Sequence, residues 1–169
     1  LCYGYEKEIA PRLLDDVSFK LAKGSVNLLI GPSGAGKSTL IHLMGGLLSP
    51  DKGRVLVKGE KLETGKTDSP STLAVVTQQA DIFKASIRDN LLMGRDVAGT
   101  DLWQALDVAQ LGNRVRAFPD GLDTCLEPRG NSLSGGERQR LATARALLGG
   151  IDTLLLDENM ASADTCTQA

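Results

Sequence analysis

The sequence predicts an α/β fold with a mixed sheet, an N-terminal antiparallel β-subdomain and an inserted helical subdomain. Three observations carry that expectation. A short apolar run at residues 26–30 feeds a glycine-rich stretch, which opens into apolar residues at helical spacing: strand, loop and helix in succession. Residues 86–118 are patterned as helix between stretches that read as strands. A second apolar run, Thr153-Leu154-Leu155-Leu156, has the character of a strand buried in a parallel sheet and ends in the carboxylates Asp157 and Glu158.

At the N-terminus, residues 1–5 are short and aromatic. Residues 14–21 alternate well enough for a strand before the Lys23-Gly24 turn, and the two stretches are expected to pair antiparallel. Tyr5, or failing it Tyr3, offers a flat face for a base to stack on; packing between sheet and loop is the plain alternative.

Residues 31–39 read Gly-Pro-Ser-Gly-Ala-Gly-Lys-Ser-Thr, the phosphate-binding template of Gly, four residues, Gly, Lys and Ser or Thr. Gly31, Gly34 and Gly36 are expected to take dihedral angles closed to other residues and bring backbone N–H groups against an anion. Lys37 adds a full positive charge suited to terminal phosphates, and the Ser38 hydroxyl can be one oxygen ligand of a magnesium ion. The run Val26-Asn27-Leu28-Leu29-Ile30 is the expected buried strand upstream, and Leu40, Leu43, Met44 and Leu47 mark the helix downstream. That helix would turn its positive dipole end toward the phosphates.

Gly45-Gly46 and residues 49–53 give a stop and a turn, followed by a strand at 54–58 and a polar loop at 59–71. Residues 73–77 read as a buried strand that delivers Gln78 and Gln79 at its exit. Ser86 can cap a helix from Ile87 to Met93, and Leu102, Ala105, Leu106 and Ala109 form an apolar stripe, with Trp103 off it and expected to pack against a neighbour.

Ser134-Gly135-Gly136-Glu137 is a capping box, so a helix must begin there. It carries Leu141, Ala144 and Leu148 on one face until Gly149-Gly150, and its bare glycine amides make a second anion site. Asp157 and Glu158 then stand at the carboxyl end of a central strand, where open α/β sheets bind ligands.

Composition bounds the function. Hydrophobic residues make up 41% and charged residues 24%, and a net charge of −2 gives no general reason to expect nucleic acid or an anionic lipid surface as partner. No apolar run approaches the roughly 20 residues needed to cross a bilayer. Cys2, Cys125 and Cys166 lack metal-ligand spacing, so reduced thiols are expected. Leu1 in place of a starting methionine, and an end at Ala169 soon after a strongly patterned segment, lead us to expect a piece cut at both ends.

Residues 31–39, Gln78, residues 133–140 (Leu-Ser-Gly-Gly-Glu-Arg-Gln-Arg) and residues 154–158 stand in the order and rough spacing of an ATP-binding cassette ATPase, which the chain resembles over almost its whole length. The Leu-Ser-Gly-Gly-Glu signature is the more specific mark, because it separates this family from other nucleotide-binding folds with the same loop. Gln78 with Phe83 five residues on, residues 86–91 and residues 119–124 look like the ATPase domain of an exporter.

The resemblance implies a P-loop NTPase, RecA-like core at 1–78 and 141–169 and a helical signature subdomain at about 82–140. It further implies ATP and Mg²⁺ as cofactors. Gly31, Ser33, Gly34, Ala35, Gly36, Lys37, Ser38 and Thr39 would hold the phosphates, with Tyr5 on adenine. Ser38, Gln78 and Asp157 would organise magnesium, and Glu158 would act on the attacking water with Gln78 and Lys37 assisting. Ser134, Gly135 and Gly136 would contact the terminal phosphate held by a second nucleotide-binding domain in a head-to-tail dimer. The transmembrane domain, on the same or another chain, would place this domain at the cytoplasmic face of a cell membrane.

The sequence departs from the family pattern in three places. After Glu158 it reads Asn159-Met160-Ala161-Ser162-Ala163-Asp164, with Ala161 where a serine belongs. Before the signature it reads Glu127-Pro128-Arg129-Gly130, without the usual glutamate after a glycine. The position of the family's histidine, some tens of residues after Asp164, is not within this sequence, and His42, inside the phosphate-loop helix, does not replace it. Two other readings stay open: a soluble cassette ATPase acting on DNA or in translation, and a catalytically degenerate regulatory module.

Overall fold

The computed structural model describes residues 1–4, 13–64, 73–130 and 132–157. The chain divides into two compact units, Leu1–Pro70 and Ser71–Ala169.

In the first unit, helix α1 (Lys37–Met44) buries Thr39, Leu40 and Leu43. Leu40 and Leu43 pack with Leu14, and Leu1, Tyr3, Val17, Met44 and Leu48 close around them. The helix stops where the two glycines predict. Gly46 takes φ 70°, its N–H donates to the Leu43 carbonyl, and the Leu47 N–H donates back to His42 at 2.9 Å. This reversed ending satisfies the last carbonyls and leaves Leu47 outside the helix and 53% exposed, so it does not extend the buried stripe.

Strands β1 (Leu56–Val57) and β2 (Glu60–Lys61) form an antiparallel hairpin. Lys58 and Gly59 both have positive φ, 54° and 88°, the geometry of a two-residue hairpin turn. β2 lies in the stretch expected to be loop, since its exposed Glu60 and Lys61 carry no apolar signal and the turn alone sets their pairing. Leu62 follows β2, is 8% exposed and lies over Gly46, where a Cβ would meet its side chain at 3.1 Å.

Two expected strands do not form among the described residues. The N-terminal stretch pairs in isolated antiparallel steps: Cys2 bridges Lys52, Tyr3 bridges Leu14, and Leu1 and Val17 exchange backbone hydrogen bonds at 2.9 and 3.0 Å. Asp16 takes φ 49°, so the chain bulges between the Leu14 and Val17 pairings and no continuous strand forms; Phe19 and Leu21 remain exposed. The run at 26–30 belongs to no ladder, with Val26 fully exposed and Ile30 82% exposed. An apolar run reports a preference for burial, whereas a strand exists only through a neighbour, and no ladder partner lies beside it among the described residues.

In the second unit, β3 (Leu73–Val76) and β4 (Thr153–Leu156) are parallel neighbours, with Leu73 opposite Thr153 and Val76 opposite Leu156. Only Leu155 of β4 is buried and Leu156 is 40% exposed, so the apolar run is not buried on both faces. Between the strands lie α2 (Ile87–Leu92), α3 (Gly99–Val108), α4 (Gly112–Arg116) and α5 (Gly135–Leu147).

Ser86 caps α2 as expected, its Oγ accepting from the Asp89 N–H at 3.0 Å. The predicted stripe of α3, Leu102, Ala105, Leu106 and Ala109, is buried with Ile87, Leu91, Leu111, Val115, Leu126, Leu133, Leu141 and Ala144. Trp103 packs against this core with the Arg116 guanidinium 4.7 Å from its ring centroid, and Arg116 also grips Asp107 with both terminal nitrogens. The helices therefore form their own core, and α5 packs against β3 as well as α2 and α3.

Candidate functional site

In the first unit the loop at 31–36 turns on Gly34 and Gly36, whose φ values of 77° and 87° lie in the left-handed region. Gly31 does not share that conformation, which corrects the expectation for it: a Cβ there would meet only ordinary contacts, Ala35 at 3.7 Å being nearest. Gly36 is constrained twice over, since a Cβ would also stand 3.1 Å from Leu14 and 3.2 Å from Leu13. The same buried leucine that anchors α1 thus presses on the point where the loop becomes helix.

Gly36 is the N-cap of α1 and supplies no side-chain acceptor to the first-turn amides. Ser33, Gly34, Ala35 and Ser38 are exposed around that helix start. Lys37 turns its ammonium back over the loop and donates to the carbonyls of Gly31 and Pro32 at 2.8 and 2.7 Å. A helix start with uncapped donors beside a cation held on loop carbonyls is an arrangement complementary to phosphate oxygens.

In the second unit the register of β3 and β4 decides the next group. The Asp157 N–H donates to the Val76 carbonyl at 2.9 Å, so Asp157 and the segment Thr77-Gln78 leave the sheet side by side at its carboxyl end. Asp157 is 9% exposed, whereas Gln78 is exposed. Gln139 of α5 donates to the Asp157 carbonyl at 3.4 Å, which ties the helix to the end of the strand.

The start of α5 carries the predicted capping box. The Glu137 N–H donates to Ser134 Oγ at 3.2 Å, and the Ser134 N–H donates to Glu137 Oε2 at 2.8 Å. Glu137 Oε1 also accepts from Arg114 Nε at 3.0 Å. The Ser134 backbone donor, with the Ser134 hydroxyl and Arg114 behind it, holds the Glu137 carboxyl below the ordinary glutamate range. The N–H groups of Gly135 and Gly136 make no hydrogen bond among the described residues, and both glycines are exposed. The capping box therefore consumes its own donors and leaves the glycine amides for an outside acceptor.

Of the candidate residues, the structure brings Gln78 and Asp157 together at one sheet end and Ser134, Gly135 and Gly136 together at one helix start. It places Gly31 to Thr39 in the other unit. Tyr5 and Glu158, the candidate base platform and the candidate catalytic carboxylate, lie outside the described residues.

Sequence reasoning missed Arg145 and Asn90. Asn90 is 1% exposed and hydrogen-bonds Phe83 through both ends of its carboxamide. Arg145 donates to the carbonyls of Asn90 and Asp81. A signal existed for Arg145: it lies four residues after Leu141 and three before Leu148, on the face read as apolar, where a cation is out of place.

Comparison with known proteins places this geometry. The family described as ABC transporter matches residues 14–161. The mycobactin import ATP-binding/permease protein IrtB of Mycobacterium tuberculosis (strain ATCC 25618 / H37Rv) is 38% identical over 171 residues, covering 100% of this chain and 29% of that protein. The ATP-dependent lipid A-core flippase of Burkholderia thailandensis is 39% identical over 164 residues, covering 96% of this chain and 27% of that protein. Among solved structures, a bacterial Atm1-family ABC exporter with ATP bound has a TM-score of 0.84 at 35% identity, over 97% of this chain and 29% of that chain. The chain thus spans less than a third of these relatives. Together with the phosphate loop, the signature helix and the strand ending in Asp157, the match over residues 14–161 shows that this chain belongs to the ABC transporter family and has its P-loop NTPase fold.

Proposed function

We propose that this chain is a nucleotide-binding domain that binds and hydrolyses ATP to power export of a substrate across a membrane. The observation that carries the reading is the start of α1. Two glycines in the left-handed region lead into an uncapped helix N-terminus, and Lys37 is already folded over the loop on the Gly31 and Pro32 carbonyls.

In this reading the loop amides and Lys37 hold the β- and γ-phosphates, and Tyr5 stacks on adenine. Ser38, Gln78 and Asp157 would hold a magnesium ion, which would supply positive charge to the phosphates. The donor set fits that ion: one hydroxyl, one amide oxygen and one buried carboxylate, all hard oxygen ligands. Glu158 would either take a proton from the attacking water or orient it.

The exposed glycine amides at the start of α5 would close on the γ-phosphate held by a second domain, excluding solvent from the reacting group. Residues 1–78 and 141–169 act as the ATP-binding core in this proposal, and about 82–140 as the signature subdomain. A transmembrane domain would hold the pair at the cytoplasmic face of the membrane. Two of the relatives described above are named for a flippase and an exporter and one for import, so we take export from the first two.

Lys37→Ala tests the reading directly. Nucleotide affinity, measured by isothermal titration on the intact protein, should fall by two orders of magnitude or more, and ATP binding at wild-type strength would overturn the phosphate-loop assignment.

A further inference from the structure

Gln78 leaves β3 into a segment, residues 77–86, that has no regular structure, yet hydrogen bonds from two side chains fix its path. Asn90 Oδ1 accepts from the Phe83 N–H at 2.9 Å, and Asn90 Nδ2 donates to the Phe83 and Ser86 carbonyls, both at 3.0 Å. Arg145 Nη1 donates to the Asp81 carbonyl at 3.0 Å, Arg145 Nε donates to the Asn90 carbonyl at 2.7 Å, and Arg145 Nη2 reaches Asn90 Oδ1 at 3.3 Å. Its guanidinium also lies 5.7 Å from the Phe83 ring centroid.

The chemistry of Arg145 is selective. It donates to the neutral carbonyl oxygens of Asp81 and Asn90, which belong to two separate segments. Burial pulls the guanidinium below the ordinary arginine value. A single lysine ammonium does not have the planar fork needed to serve the loop and α2 at once. Arg95 adds a tie behind it, donating to the Arg145 carbonyl at 3.1 Å.

Arg145 is also on the helix that opens with Ser134, Gly135 and Gly136. It follows Gly135 by ten residues, about 15 Å along α5 at the usual helical rise. A helix of this length is stiff, so whatever displaces its glycine end displaces Arg145 as well.

We propose that Arg145, with Asn90, is a positioning residue: it clamps the loop carrying Gln78 to the signature helix, so that closure of the helix on a nucleotide and movement of Gln78 are one event. This rests on the ATPase reading above. It adds a physical link between the group that would meet the γ-phosphate and the glutamine at the strand end, made by two residues to which the reading above gives no nucleotide contact.

The test is amide hydrogen exchange with ATP turnover in the intact protein, comparing wild type, Arg145→Met and Arg145→Lys. Without nucleotide, exchange at 81–86 should accelerate about tenfold in Arg145→Met. With magnesium-ATP, wild type should gain protection at 134–140 and 79–86 together. Arg145→Met should gain it at 134–140 alone, with KM for ATP within about twofold and kcat down about tenfold or more. Arg145→Lys, which keeps the charge and one carbonyl contact, should fall between, and it serves as the reference if the methionine variant does not fold. A wild type that gains no protection from ATP overturns the ATPase reading and the clamp with it. A wild type that responds, beside variants that still protect both segments together or keep full kcat, overturns the clamp alone.

Discussion

Replacing Gly36 by alanine should damage the phosphate loop far more than the same change at Gly34, and the difference can be worked from the geometry. Both glycines sit in the left-handed region, at φ 87° and 77°. Holding alanine there costs about 1–2 kcal/mol, of which restricting the unfolded chain returns about 0.4–1 kcal/mol. At Gly34 nothing lies within 4 Å of the added Cβ, so the net loss should stay near 1 kcal/mol by the same estimate. At Gly36 the Cβ meets Leu14 at 3.1 Å and Leu13 at 3.2 Å, and Leu14 is itself 7% exposed, in the core under α1. Crowding a packed site adds about 1–3 kcal/mol, giving about 2–4 kcal/mol in all for Gly36→Ala. Urea unfolding of both variants without nucleotide measures the gap, and ATP titration shows whether the displaced loop still binds. Equal losses at the two positions, or a larger loss at Gly34, would refute the claim that the Leu13 and Leu14 contact fixes the loop.

Glu158→Gln should keep ATP binding and slow turnover by about 10² to 10⁴, the usual worth of a positioned general base; a steady-state phosphate-release assay checks it, and unchanged turnover removes Glu158 from the mechanism. Ser134→Ala removes the Oγ that accepts from the Glu137 N–H and should cost about 1 kcal/mol in chemical unfolding. Glu137 gives the acid dependence. Its carboxyl is held below the ordinary range in the folded chain, so its stabilisation is complete above the ordinary glutamate value of about 4.3 and fades as pH falls through the lower folded value. Urea midpoints of Glu137→Gln, whose amide can still reach the cap N–H, should therefore decline less between neutral pH and pH 3 than those of the wild type. A parallel decline would exclude Glu137 as the acid-sensitive group.

The helical part of the second unit was legible in the sequence because its signals are local. Ser86 and Ser134 cap α2 and α5, and the stripe from Leu102 to Ala109 reports burial at a period only a helix has. The parallel pair β3 and β4 was legible in outline, but the register that sets Asp157 beside Thr77 and Gln78 was not, since nothing in either run says which residues face each other. The runs at 14–21 and 26–30 show the limit of the same reasoning: apolar content at 26–30 does not supply a ladder partner, and the bulge at Asp16, which breaks the pairing of Leu14 and Val17 with Tyr3 and Leu1 into single steps, leaves no mark in the alternation. β2 fails in the opposite sense, as a polar strand formed by the Lys58-Gly59 turn.

By itself the sequence determined the chemistry on offer: a glycine loop with Lys37 and Ser38, a capped helix start with two glycines, and a carboxylate pair after a strand. Each is encoded within a few neighbouring residues, because caps, turns and helix periodicity depend on contacts no more than about four positions apart. Tertiary structure alone decided that Lys37 rests on the Gly31 and Pro32 carbonyls, that Gly36 is pressed by Leu13 and Leu14, and that Arg145 joins Asp81 to Asn90. Those last contacts span separations of 22 to 64 residues, where chain order sets no distance and packing of the completed fold chooses the partner.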